Sequence, residues 1–228
     1  GLKHTMKIQI LMSTYNGSRY IETQLDSIAA QDIENKFLLI RDDASNDDTV
    51  KIIQKYQKRY PWISYYEGQH AGVQKSFLEL ISKVDADTDY VAFADQDDEW
   101  LPEKLKRAIC CLKKMDNANV EKQIPLLYCS DKQIVDDNLE PLQVTVSRPV
   151  RKISFGNALV QNICTGCTAV INRPLIDLLQ KYPPTNPEYI IMHDWWLYLT
   201  ASCFGKVYYD KKSYIKYRQH GKNTSGAM

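Results

Sequence analysis

The sequence predicts an α/β fold: a Rossmann-like, mostly parallel sheet flanked by helices, continuing into a mixed α+β half. Three observations predict it. Between residues 6 and 115, an apolar run followed by apolar residues at helical spacing recurs four times. Three of those runs stop at polar, mostly acidic clusters, Ser13–Tyr15, Asp42–Asp43 and Asp95–Asp98. Beyond Leu126 the alternation breaks down. Repeated strand–helix units imply right-handed crossovers and a parallel sheet covered on both faces. In such sheets ligands collect outside the carboxyl ends of the strands, so the three polar clusters are expected to converge on one crevice.

The elements follow in order. Lys7–Met12 is a short apolar run cut off by Ser13–Gly17, after which Ile21, Leu25 and Ile28 mark a helix. Phe37–Ile40 runs into Arg41-Asp42-Asp43; a turn at Ser45–Asp48 leads to a helix carrying Val50, Ile53 and Tyr56. Ile63–Tyr66 precedes Phe77, Leu80, Ile81 and Val84, and Tyr90–Ala94 precedes a helix that begins around Pro102. In the second half, Leu126–Cys129 and Gly166–Ile171 are strand-like, and a polar stretch runs to Arg148 between them. His193–Leu199 is expected to be helical, and two short strands, Val207–Tyr209 and Tyr214–Tyr217, precede a polar end. Gly1–Thr5 precede Met6 and are read as lying outside the fold. No Gly/Ser linker or repeat divides the chain, so residues 1–228 are read as one domain with halves at 6–115 and 116–228.

Composition excludes several classes. With 29 Lys+Arg against 28 Asp+Glu the net charge is +1, so no overall field recommends nucleic acid or an anionic membrane as main partner. The apolar stretch Trp195–Gly205 is about half the ~20 residues a membrane span needs, and the N-terminus lacks a signal-like apolar region. A cytoplasmic protein is the expectation. The six cysteines are scattered through apolar sequence and read as reduced; Cys164 and Cys167 lack the second ligand pair of a zinc site and read as buried small side chains.

The strongest chemical signal is Asp95-Gln96-Asp97-Asp98-Glu99 directly after an apolar strand. Four adjacent acids repel one another, and a divalent ion, Mn²⁺ or Mg²⁺ on a nucleoside diphosphate, compensates them economically. The plainer alternative is a solvated turn capping the next helix. Asp42–Asp48 is not a calcium loop: counting from Asp43, Asp48 stands where the loop needs Gly and Gln54 where it needs Glu. Asp43, and less firmly Asp42, remains as a strand-end carboxylate suited to a pyrimidine ring N–H, with Ser45–Asp48 capping the next helix. Ser13–Gly17 has neither dinucleotide-fingerprint glycines nor a phosphate loop, which removes the main support for hydride transfer and P-loop NTPase chemistry. Tyr15 is suited to packing on a base.

Together, Met12-Ser-Thr-Tyr-Asn-Gly17, Asp42-Asp-Ala-Ser-Asn-Asp-Asp-Thr49 and Phe93-Ala-Asp-Gln-Asp-Asp-Glu-Trp100 resemble family 2 glycosyltransferases of the glycosyltransferase A fold. His193-Asp-Trp-Trp196 and Tyr217–Gly226 extend the resemblance toward the bacterial rhamnosyltransferase-like branch. The resemblance implies that Asp43 holds the base, that Ser13, Tyr15 and Asn16 line the nucleoside pocket, and that Asp95 and Gln96 face the donor ribose or sugar. It gives Asp97 as principal metal ligand, with His220 as a third ligand or diphosphate contact. Gln74 and Lys75 belong to the segment near the donor, although Ser76 stands where the family often has asparagine. Asp194 corresponds to the family's base for the acceptor hydroxyl, while His193 replaces the usual Glu and is expected to buttress the site beside Trp195 and Trp196.

The implied reaction is inverting transfer of a sugar, L-rhamnose from dTDP-L-rhamnose, to a saccharide or lipid-linked saccharide in bacterial cell-surface polysaccharide synthesis. A UDP-hexose remains open, because thymine and uracil offer the same ring N–H. Relatives of this branch often continue into helices that dock on the membrane, which implies peripheral association with its inner face through a C-terminal region beyond this chain. Two other classes stay in view. A nucleotidyltransferase would want a Gly/Arg/Lys-rich phosphate loop that Met12–Gly17 does not provide. A non-catalytic sugar-nucleotide-binding module would bind donor without using Asp194. Gly166 is read as core packing or an approach for the acceptor, and about half of Tyr208, Tyr209, Tyr214 and Tyr217 as buried.

Overall fold

The computed structural model describes residues 5–118, 123–143 and 153–220. The four predicted units are present: β1 (Ile8–Thr14), α1 (Ile21–Ala29), β2 (Lys36–Asp42), α2 (Thr49–Arg59), β3 (Ile63–Glu67), α3 (Val73–Ser82), β4 (Tyr90–Ala94), a short β5 (Glu99–Trp100) and α4 (Lys104–Asn117). The rest comprises β6 (Leu126–Val135), a single-turn α5 (Phe155–Ala158), β7 (Val170–Asn172), α6 (Arg173–Lys181), α7 (His193–Phe204) and β8 (Lys206–Arg218).

One eight-stranded sheet runs through both halves in the order β3-β2-β1-β4-β7-β6-β8-β5. Strands β1 to β4 pair in parallel, as do β6 and β8; β7 is antiparallel to both β4 and β6, and β5 is antiparallel to β8. Strand β1 lies between β2 and β4, so the chain leaves it in one direction and returns on the other side, which opens a crevice at the carboxyl ends of these strands.

Strand periodicity distributes the core. Ile8, Ile10 and Met12 of β1 and Tyr90, Ala92 and Ala94 of β4 pack with Ile21, Leu25 and Ile28 of α1 and Leu105 and Leu112 of α4. The intervening Leu11, Val91 and Phe93 face the opposite layer, with Phe77 and Leu80 of α3, Leu175 and Leu179 of α6 and Leu197 of α7. Each fully buried Leu or Ile contributes roughly 1.5–3 kcal/mol, and both layers fix the crevice between them.

Three elements differ from expectation. The two predicted terminal strands are one, β8, because Lys211 and Lys212 are absorbed as a bulge where Ser130 pairs with Asp210 and Asp131 with Ser213. The apolar run Gly166–Ile171 is a 3₁₀ turn at Gly166–Thr168 followed by β7. Helix α6 is additional; Asn172 caps it by accepting from Leu175 N–H, and Pro174 occupies its first turn. All six cysteines are free, and Cys164 and Cys167 are buried as predicted. Among the described residues no helix is long and apolar enough to cross a membrane.

Candidate active site

A cavity of about 320 Å³ opens at the carboxyl ends of β1, β2 and β4. Ser13, Tyr15, Asp43, His70 and Gly72 line one end, Asp95, Gln96 and Asp97 the middle, and Thr165, Gly166, His193 and Asp194 the other end. The three polar clusters named from sequence therefore do meet, and α7 brings Asp194 to them across the other sheet half.

At the first end, Asp43 is 2% exposed. Its carboxylate accepts from Ala71 N–H (2.8 Å), Gly72 N–H (2.9 Å) and the Arg41 guanidinium, and His70 Nδ1 lies 2.9 Å away. Burial alone would raise this carboxyl, but the two backbone donors and Arg41 outweigh it and hold it below its ordinary value. Gly72 reaches Asp43 with φ +86°, a left-handed conformation that favours glycine. Arg41 is buried and also bonds Glu79, so Asp43 is a saturated anchor for the 69–72 loop as well as a wall of the cavity. His70, 60% exposed and 4.6 Å between ring centroids from Tyr15, was not anticipated from sequence.

The first loop is tied down rather than open. Gln96 Oε1 accepts from Tyr15 N–H and its Nε2 donates to Tyr15 O, both at 2.9 Å. Asn16 N–H donates to Ser45 Oγ, Asn16 Oδ1 accepts from Asn46 N–H, and Ser18 N–H donates to Asp47. The 45–48 run thus bridges two loops, and Asp47, not Asp48, takes the Thr49 N–H at the start of α2. Asn16 is absent from the cavity lining; it sets the loop. Gln74 and Lys75 also lie off the lining: Gln74 donates to Pro187 O and Lys75 is 3.7 Å from Glu188, so both brace the 187–189 turn.

The four acids separate by role. Glu99 pairs with Lys216 at 2.8 Å, and Asp98 is buried, accepting from Arg218 N–H while its Oδ2 lacks a partner among the described residues. Asp95, Asp98 and Cys167 bring ligand atoms within 4.8 Å of one another. Burial, then the charges of Asp97 and Asp194, push Asp95 up to about 7; burial with Asp95 and Asp97 raises Asp98, and burial keeps Cys167 a thiol. Asp98 and Cys167 lie buried behind Asp95, which itself lines the cavity. Asp97 also faces the cavity, with Oδ2 2.7 Å from His220 Nε2. That separation is a hydrogen bond, and the carboxylate in it is of the ligand class that suits Mn²⁺ or Mg²⁺. Tyr20 stacks on His220 at 4.7 Å, and Arg218 donates to Asp97 O, which holds both residues in place.

At the other end Asp194 is 8% exposed, at the first turn of α7. Its Oδ1 accepts from Asn162 Nδ2 and its Oδ2 from Gly166 N–H, each at 2.9 Å. Trp195 instead bonds Ala158 O, and Trp196 lines a separate apolar groove with Leu179 and Pro183. A Cβ on Gly166 would come 2.8 Å from His193 Nε2, so glycine is what lets this turn lie against the imidazole.

His193 stacks on Phe77 (4.1 Å, 21°), is 3% exposed, and neither ring nitrogen has a partner among the described residues. Burial lowers its pKa to about 4. Between the ordinary ~6.5 and that value the unfolded chain takes up a proton that the folded one refuses, so stability falls as pH falls through this window, by about 3 kcal/mol at most. Chemical denaturation of wild type and His193→Gln from pH 7 to 4.5 is expected to show a shallower loss in the variant; equal slopes would refute the buried neutral imidazole.

Residues 9–178 match the family model described as glycosyl transferase family 2. The chain is 34% identical over 226 residues to the dTDP-rhamnosyl transferase RfbG of Shigella flexneri, covering 95% of this chain and 74% of that protein. It is 25% identical to an uncharacterized glycosyltransferase of Nostoc sp., covering 96% and 66%. Among solved structures, TarS 1–349 of S. aureus in complex with UDP superposes with a TM-score of 0.65 at 21% identity, over 94% of this chain and 61% of that one. The mannosyltransferase PcManGT of Pyrobaculum calidifontis, in complex with GDP-Man and Mn²⁺, gives 0.65 at 16%, over 92% and 56%. The chain thus spans between 56% and 74% of the length of these four proteins.

Proposed function

Because this chain belongs to glycosyl transferase family 2, we propose that it transfers a sugar from a nucleoside diphosphate to a saccharide or lipid-linked saccharide hydroxyl, with inversion, in bacterial cell-surface polysaccharide synthesis. The donor is dTDP-L-rhamnose. The observation that carries the reading is one cavity with Asp97, backed by His220, at its middle and a buried carboxylate, Asp194, at its far end. The 34% identity to a protein named as a dTDP-rhamnosyl transferase supports the sugar and base.

The base lies against Tyr15 at the Asp43 end. Its ring N–H reaches Asp43 by displacing His70, the one donor to that carboxylate on an exposed side chain. Ser13 lies with the ribose, and Gln96 keeps the Tyr15 loop closed under it. Asp97 and His220 would hold a divalent ion, which supplies charge to stabilise the departing diphosphate. Asp194, oriented by Gly166 and Asn162, takes the proton of the acceptor hydroxyl as that oxygen attacks C1 and the C1–O bond to the diphosphate breaks. Thr165 and Gly166, which share its end of the cavity, frame the acceptor.

Calorimetric titration with dTDP, UDP, GDP and NADH, each with and without Mn²⁺, tests the reading. Mn²⁺-dependent binding of dTDP, with no NADH binding, is expected. Preference for UDP over dTDP moves the donor to a UDP-hexose, and absence of all diphosphate binding overturns the transferase reading.

A further inference from the structure

Asp194 is held by a side chain that no sequence motif singled out. Asn162 lies four residues before Gly166, in the segment leading to the 3₁₀ turn at Gly166–Thr168, and its amide faces two groups at once. Oδ1 accepts from Cys164 N–H at 3.0 Å, and Nδ2 donates to Asp194 Oδ1 at 2.9 Å. The orientation of this amide is not arbitrary: a backbone N–H can only donate, so the end facing Cys164 is the oxygen and the end facing Asp194 is the NH₂. Gly166 N–H closes on the other carboxylate oxygen.

Building on the transferase reading, we propose that Asn162 is a positioning residue for the reaction, setting the direction in which the Asp194 carboxylate meets the acceptor hydroxyl. The carboxylate is nearly buried, and among the described residues its other close neighbours give it no hydrogen bond. His193 has both ring nitrogens unpartnered among the described residues, and Asp95 and Cys164 act on or feel it through charge alone. Two donors, one on each oxygen, fix the plane of the carboxylate and leave one lone pair on each oxygen for the substrate. Removing the Asn162 donor frees rotation about the Asp194 side chain, with Gly166 N–H as a single pivot. Near-attack geometry tolerates little such freedom, and misplacement of a catalytic group by about 1 Å costs on the order of 100-fold in rate.

A purely architectural role for Asn162 would rest on its oxygen, which secures the turn through Cys164 N–H. The two roles separate in a pair of variants. Asn162→Asp keeps an oxygen for Cys164 but turns the Nδ2 donor into a second carboxylate oxygen facing Asp194. Asn162→Ala removes both contacts.

The measurement is steady-state release of dTDP from dTDP-L-rhamnose with Mn²⁺, water serving as acceptor, together with thermal melting and calorimetric binding of dTDP. For Asn162→Asp the expected result is a fall in kcat of roughly 10- to 100-fold with KM for the donor and dTDP affinity within about twofold of wild type. Asn162→Ala is expected to lose a similar factor in kcat. If Asn162→Asp retains wild-type kcat, the oxygen alone matters and the positioning role is overturned. If both variants lose donor affinity in step with kcat, the residue shapes the donor end and the proposal fails likewise. Wild type that binds dTDP yet releases no product with either water or a saccharide acceptor overturns the transferase reading itself, a result separate from either variant outcome.

Discussion

Asp97→Ala is expected to abolish the Mn²⁺-dependent part of dTDP binding. Loss of a charge-assisted contact of this kind costs about 2–3 kcal/mol, or roughly 30- to 150-fold in affinity. The size follows from the division of labour among the acids. Glu99 is spent on Lys216, Asp98 is buried and accepts from Arg218 N–H, and Asp95 lies beside Asp98 and Cys167. Of these four acids, Asp97 lines the middle of the cavity with an imidazole, His220, against its carboxylate. Asp97→Asn, which keeps the shape and removes the charge, is expected to match the alanine variant. Titrations of both with dTDP, with and without Mn²⁺, check the point: affinity that ignores both the ion and the substitution would return the acidic loop to the role of a solvated turn.

Asp194→Asn is expected to lower kcat by about 10³-fold while dTDP binding with Mn²⁺ stays near wild type, since general base groups contribute typically 10²- to 10⁴-fold. The carboxylate lies at the far end of the cavity from Asp43, so donor recognition has no need of it. The substitution is not silent structurally. One of the two oxygens that accept from Asn162 and Gly166 becomes an NH₂ facing a donor, and a small drop in melting temperature is expected beside the kinetic loss. Turnover and calorimetry on one preparation decide it. Unchanged donor turnover would remove Asp194 as base, and donor binding without turnover in wild type would favour a non-catalytic sugar-nucleotide-binding module.

The first half of the fold was legible because each of its elements is written in local pattern. Strands β1, β2 and β4 are short apolar runs with polar stops, and helices α1 to α4 carry apolar residues at helical spacing. The polar stops then placed Ser13, Asp43 and Asp97 at the cavity without any long-range information. The second half was harder because its order in space is not its order in sequence: β7 inserts antiparallel between β4 and β6, a placement no local residue announces. Helix α6 did carry a readable signal in Asn172-Arg-Pro174, a cap followed by a first-turn proline. Asn162 and His70 were illegible for a different reason. Each acts through one long-range hydrogen bond, to Asp194 and to Asp43, and a single polar residue in a loop has no periodicity to betray it.

The sheet order has one more consequence. Strand β5 lies four places from β4, about 19 Å across a flat sheet, whereas the five residue steps from Ala94 to Glu99 reach about 18 Å when fully extended. The sheet therefore curls, and the acidic loop is the seam where it closes. That seam is stitched by partners far away along the chain: Trp100 pairs with Ile215, and Arg218 N–H reaches Asp98 across 120 residues. Contacts of such separation form late and slowly in folding. A fragment ending after α4 would keep Tyr15, Asp43 and Gln96 but leave Asp97 and Asp98 without Arg218 and His220, so the seam cannot be closed from the first half alone.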